Sequence, residues 1–348
     1  MRDLLSLLLF AALAATAQLQ PPGGVPLSAP RIGVIDFYGR GKVSEDLLRK
    51  ALGFREGDPL PRSKGDVEDA VEQMKDVVAA RMEAACCEDG KAILYVGIEE
   101  RGAPHFDYLP PPSGEARLSE EIHMQYGAFL AAVQKAIRTG PVSENLAQGH
   151  SLMENAEAYQ HQLRFIELAR ANLPLLRDVL RDSGNEEHRA IAAYVIGYAP
   201  KKKDVVNDLQ AALRDSDDTV RNNAMRALGA IAVLAAKDPS QGIQVSPTWF
   251  IEALDSLIWQ DKTTSAATLV TLTEGRPVRV LDHLKERAVP TLAVMARWKH
   301  LPHALPAFIL MGRIHGVPEE EIQKAWSEGR REAFLSGLVK PATPGKRK

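Results

Sequence analysis

Residues 176–199 read LRDVLRDSGNEEHRAIAAYVIGYA, and residues 209–232 read LQAALRDSDDTVRNNAMRALGAIA. Laid over each other, the two stretches carry one pattern. Arg189, Ala192 and Gly197 recur 32 residues later as Arg221, Ala224 and Gly229. Leu180, Asp182 and Ser183 recur 33 residues later as Leu213, Asp215 and Ser216, so the second turn is one residue shorter. Self-similarity at this period marks a stack of helical hairpins, in which no single hairpin can bury its own apolar face. Architecture does not fix function, however, and no specific activity is legible in these residues.

On the C-terminal side, 249–259 and 265–272 form a third, diverged hairpin. Helices 284–298 and 303–315 form a fourth, with Gly312 at the place of Gly229, and a last helix from Pro318 through Leu338 caps the array. On the N-terminal side, Ile122, Tyr126, Phe129, Val133 and Ile137 keep a helical period within 118–138, and a helix over 154–171 follows. Residues 101–117 form a connector stiffened by Pro110 to Pro112. Residues 339–348, ending in Gly-Lys-Arg-Lys, read as a disordered basic tail.

The segment 31–100 has a different rhythm. Ile32–Phe37 alternates as a strand and stops at Gly39, and Ser44 then caps a helix bearing Leu47, Leu48, Ala51 and Leu52. A second helix is expected from Ser63 to Ala80, then a strand over 81–87, a two-residue Asp89-Gly90 turn and a strand over 92–100. Ahead of this lies a Pro/Gly linker, 18–30, and before it Arg2, an apolar run from Leu4 to Leu13, and Ala15-Thr16-Ala17. That order reads as a signal peptide cleaved near Ala17, which places the mature chain in a periplasmic or extracellular compartment with no transmembrane segment.

The 348 residues are 45% hydrophobic but only 6% aromatic, which suits packed helices; the expected class is α+β, mostly α. That class joins a helical solenoid of about four hairpins to a small β-α-α-β-β domain. A net charge of −2 argues against a nucleic-acid binder. Ser151 in Gly-His-Ser-Leu-Met lacks the second glycine of a nucleophile elbow and reads as a helix N-cap. His300 and His303 are three apart, without a third metal ligand in pattern, and Asp215–Asp218 lacks the glycine and distal glutamate of a calcium loop. No phosphate loop or dinucleotide fingerprint occurs, so neither a catalytic site nor a cofactor is expected. The two cysteines, Cys86 and Cys87, are neighbours; a disulfide between them closes almost no loop, and they remain as a possible redox site.

The repeated stretch resembles HEAT repeats, best over 176–234. The resemblance implies that Asp182, Arg189, Asp215 and Arg221 form an acid–base ladder between successive repeats. The 31–100 segment resembles a POTRA domain, on the opening strand with Gly39, the helix followed by Glu-Gly-Asp, and the closing strand ending in Glu-Glu. Together these imply an exported interaction scaffold whose partner is another protein or peptide. Two alternatives stand beside it: a redox or cofactor-handling protein using Cys86 and Cys87, like the lyase-like HEAT proteins, and an envelope assembly factor by the POTRA likeness.

Overall fold

The computed structural model describes residues 30–140 and 142–338. The segment read above as a signal peptide, most of the 18–30 linker and the 339–348 tail lie outside them. The fold is α+β and mostly α, with a small N-terminal sheet and a C-terminal helical array. No helix among the described residues is long and apolar enough to cross a membrane. Its contacts gather into two compact units, each described by itself: one joins the described part of 23–103 to 273–338, and the other is 104–272.

In the first unit, β1 (Ile32–Tyr38), α1 (Glu45–Leu52), α2 (Lys64–Glu72), β2 (Val77–Glu88) and β3 (Lys91–Glu100) follow in order. The sheet runs β1-β3-β2, with β1 parallel and β2 antiparallel to β3. Ser44 and Ser63 accept from Leu47 N and Asp66 N, so both helices start where a hydroxyl can take up an orphan amide. Ile35, Phe37, Leu94, Val96 and Ile98 face these helices and meet Leu48, Val67 and Val71, all buried. Each such side chain contributes roughly 1.5–3 kcal/mol through burial.

The opposite sheet face is covered as well, by the chain's C-terminal part. Tyr95 packs against Trp298 at 4.9 Å between ring centroids, and Tyr38 packs on the same indole at 6.1 Å. The Tyr95 hydroxyl lies 2.6 Å from His303 Nδ1, and Lys299 N donates to Asp36 Oδ2 at 2.8 Å. Burial on both faces is why β3 is buried without interruption from Ala92 to Ile98 instead of alternating. At the sheet's outer margin, the Glu72 and Glu68 carboxylates accept from Ala80 N (2.8 Å) and Met82 N (2.7 Å), occupying two edge amides of β2.

Glu100, at the end of β3, turns its carboxylate into the loop before α1. The amides of Gly41, Lys42 and Val43 donate to it at 2.7–2.9 Å, and these bonds outweigh desolvation and hold its pKa below the ordinary value.

Several boundaries differ from the sequence reading. The helix expected to reach Ala80 ends at Glu72, because β-branched Val77 and Val78 enter β2 after Asp76 at φ 71°. The helix expected over 284–298 divides into α11 (Val278–Arg287) and α12 (Val289–Met295), where Pro290 suits a helix start and not an interior. The last helix divides into α14 (Glu319–Ser327) and α15 (Arg331–Leu338) at Gly329, φ 67°. Between these pairs lies α13 (Leu301–Ile314); a Cβ on its Gly312 would meet Ile322 at 2.5 Å, so glycine sets that close approach.

The second unit opens with residues 104–118 and continues through α3 (Glu120–Thr139), β4 (Glu144–Asn145), β5 (Leu152–Met153) and α4 (Ala156–Ala171). The hairpins follow: α5 (Leu173–Asp182) with α6 (Glu186–Ile196), α7 (Val206–Ala212) with α8 (Asp218–Lys237), and α9 (Thr248–Glu252) with α10 (Trp259–Leu272). Phe129, Phe165, Tyr194 and Tyr198 interlock at 5.3–5.5 Å, joining α3 and α4 to the first hairpin.

Candidate functional site

The turns within the hairpins place the charged residues. Asn185 accepts from His188 N and Asp217 from Val220 N, so each second helix starts at a defined residue. Four residues after each cap, an arginine folds back over its own turn: Arg189 NH1 donates to Ser183 O (2.9 Å) and Arg221 NH1 to Asp215 O (2.8 Å). Each guanidinium also reaches the next hairpin. Arg189 grips both Asp215 oxygens at 2.8 Å. Arg221 grips Asp261 Oδ2 through Nε (3.0 Å) and NH2 (2.9 Å).

All four of these side chains are buried, with Asp261 fully so. The hydrogen bonds that Arg189 donates to Asp215 hold its guanidinium above its ordinary pKa. Burial, only partly offset by Arg221, pushes the Asp261 carboxyl up. Ser256 Oγ donates to Asp261 at 2.7 Å, and Tyr108 completes the cluster with its hydroxyl 2.8 Å from Ser256 Oγ and its ring 4.3 Å from the Arg221 guanidinium.

Of the four expected ladder residues, Arg189 and Asp215 thus meet each other and Arg221 pairs with Asp261. Asp182 is different. It is exposed and pairs with the adjacent Arg181 at 3.1 Å, while its backbone carbonyl accepts from Gly114 N.

A second cluster lies where the 144–153 hairpin covers α6 and α8. Glu144, Leu146, His150 and Ser151 line a small depression with Tyr194, Tyr198, Asn223 and Arg226. A Cβ on Gly197 would sit 2.8 Å from the Ala227 Cβ, so that glycine allows the two helices their approach. Arg226 donates to Glu144 Oε1 at 2.7 Å. From α4, the buried Gln162 donates to Tyr198 Oη (3.0 Å) and Ser151 Oγ (3.2 Å) and accepts from Met153 N (2.6 Å). Ser151 is therefore not the N-cap: Asn155 caps α4, accepting from Glu157 N and Ala158 N, and leaves Ser151 to Gln162.

Behind the depression, Lys202 Nζ donates to Gly197 O (2.7 Å) and lies 3.0 Å from His150 Nδ1. Burial brings Lys202 down to about 7, and burial with the Lys202 charge brings His150 down to about 4. Between pH 7 and 10.5, unfolded Lys202 carries a proton that the folded side chain lacks. The unfolded state binds more protons, so stability rises with pH across that window. A urea titration series is expected to show the wild type gaining stability from pH 7 to 9.5 and Lys202→Met gaining clearly less, the remainder coming from Lys262, which burial brings down to about 8. Parallel profiles would mean that Lys202 is not desolvated in solution.

The other expected sites are placed as follows. His300 and His303 meet edge to face at 4.1 Å between centroids, but His303 Nδ1 is engaged by Tyr95, and burial brings His303 down to about 3. Asp217 of the 215–218 stretch caps α8, and Asp215 belongs to the ladder. The backbone of Cys86 and Cys87 belongs to β2, and their side chains lie outside the described residues. Among the described residues, no group of three or more His, Cys, Asp or Glu could hold a metal ion.

With this geometry in place, the comparison with known families is specific. Residues 173–242 match HEAT repeats. The matched HEAT segment spans α5 to α8, the two hairpins joined by Arg189 and Asp215. No curated protein matches the chain. HEAT repeats suggest a helical protein-interaction scaffold.

Sequence reasoning missed Asp261, Tyr108 and the Glu144–Arg226 pair. Asp261 lies 40 residues beyond Arg221, outside the repeat period, where the third hairpin has lost its likeness to the others. Only the aromatic pair Phe106 and Tyr108 within a Pro-rich segment could have hinted at a docked connector.

Proposed function

We propose that this chain is an exported protein-interaction scaffold. Its helical array offers an extended surface to another protein or peptide, and its β-α-α-β-β segment is a second contact module. The observation that carries this reading is the pair of buried rungs, Arg189–Asp215 and Arg221–Asp261, within and beyond the HEAT segment. They fasten consecutive hairpins into a continuous surface suited to holding a partner. The export assignment rests on residues 2–17 as a signal sequence. The strand order β1-β3-β2 is in keeping with the POTRA likeness, although the Glu68 and Glu72 carboxylates leave less of the β2 edge for a partner strand. With a net charge of −2, the partner is protein and not nucleic acid.

A crosslinking pull-down with the chain from Gln18, using the envelope and culture fractions of its own organism, tests this. The expected result is one dominant protein partner crosslinked within 173–272. Crosslinks distributed without preference, or no enriched protein, would overturn the reading.

A further inference from the structure

The segment between β3 and α3 is not a bare linker. Leu109 N donates to Arg214 O (2.7 Å), and Arg214 Nε returns a bond to Asp107 O (3.1 Å). Further along, Gly114 N donates to Asp182 O (2.8 Å) and Gly184 N donates to Gly114 O (2.7 Å), a reciprocal pair one hairpin earlier. Tyr108 reaches Ser256 and Arg221, and Leu118 N donates to His188 Nδ1 at 3.0 Å. Residues 107–118 therefore cross the turns of three successive hairpins, in the order third, second, first. Much of the attachment is backbone to backbone, as when an extended peptide is bound, with one aromatic anchor adding specificity. Pro110 to Pro112 keep the chain extended and bring no amides that need partners.

The attachment is also light. Phe106 and Leu118 are buried, whereas Asp107 to Pro111 are exposed. A segment with few buried contacts and solvent-facing hydrogen bonds opens at a lower free energy than the helices beneath it.

We propose that the ridge of hairpin turns is a docking surface for extended, proline-rich segments carrying an aromatic hydroxyl, and that residues 104–118 are its resident, displaceable occupant. This deepens the scaffold reading and rests on it. It names the partner's chemistry: a tyrosine followed by an apolar residue and prolines, with a glycine a few positions on where the chain must approach a carbonyl. The glycine requirement is steric, because a Cβ on Gly114 would sit 2.3 Å from Asp182 O.

The resident segment competes at the high effective concentration of a tether, so a free peptide binds better once the tethered one is weakened. The probe is a fluorescein-labelled peptide of residues 104–118, read by anisotropy against the full chain. Gly114→Ala and Tyr108→Ala in the protein are each expected to tighten its binding about tenfold over wild type. The same peptide carrying Tyr108→Ala is expected to lose that gain. Equal binding to all three proteins, or none to variants with native circular dichroism, would overturn the proposal. A measurement on the unaltered protein stands beside these. The amides of Leu109, Gly114 and Leu118 are expected to exchange together and faster than those of α5 to α8. Exchange only through global unfolding would overturn displacement whatever the variants do. A crosslinked partner with a silent peptide would leave the scaffold reading standing and remove this one.

Discussion

Arg221→Met is expected to lower the melting temperature by about 10 °C, the product of roughly 3–5 kcal/mol for breaking a buried pair and roughly 2–4 °C per kcal/mol for a unit of this size. The cost arises less from the lost attraction than from what remains. Asp261 is fully buried, with Arg221 as its charged hydrogen-bond partner and Ser256 as a weaker second donor. A methionine fills the space but leaves the carboxylate uncompensated. Arg221→Met with Asp261→Leu removes both charges at once and is expected to recover most of the loss, since a buried pair exchanged for apolar groups of similar volume is often close to neutral. Thermal melts followed by far-ultraviolet circular dichroism check both. A single variant that melts within about 2 °C of wild type, under 1 kcal/mol on that scale, would mean the rung does not fasten the third hairpin to the second.

Gly39→Ala is the second large effect. Gly39 has φ 75°, and a Cβ there would stand 2.0 Å from the Ile98 carbonyl oxygen, a backbone atom of the central strand. The left-handed backbone costs about 1–2 kcal/mol and the forced shift of β3 a further 1–3 kcal/mol or so. Gly53→Ala provides the contrast: Gly53 has φ 71° with nothing within 4 Å, so it bears only the first of these costs. Urea unfolding read by tryptophan fluorescence is expected to place Gly39→Ala well below Gly53→Ala. Equal losses would show that the clash relaxes without cost.

What the sequence disclosed, and what it concealed, follows from the range of each interaction. The cap at Ser44, the helix start at Ser63 and the Asp89-Gly90 turn act over two to four residues and were readable in order. The two HEAT hairpins were readable because Arg189 and Arg221 recur at a fixed offset. Asp261 was not, since it reaches Arg221 from a helix start instead of a turn. The hairpin at 144–153 has strands of two residues, too short for any alternation, so the Glu144–Arg226 pair and the depression had no periodic signal. The connector's prolines announced stiffness but not where it would lie. Nothing in the apolar pattern of 284–338 said that its Trp298 and His303 would meet Tyr95.

That last contact has a consequence for how the chain is made. A ribosome delivers β1 to β3 with one face matched to α1 and α2 and the other, bearing Tyr38 and Tyr95, without its cover. The cover arrives only after all of residues 104–272 have been synthesised. At ordinary elongation rates that is a wait of roughly ten to thirty seconds. During it the nascent sheet is a half-finished sandwich, with its helical face matched and the other still lacking its cover. The sheet is thus translated before the array but completed after it, and any holding factor met during biogenesis would find its target in that bare aromatic face.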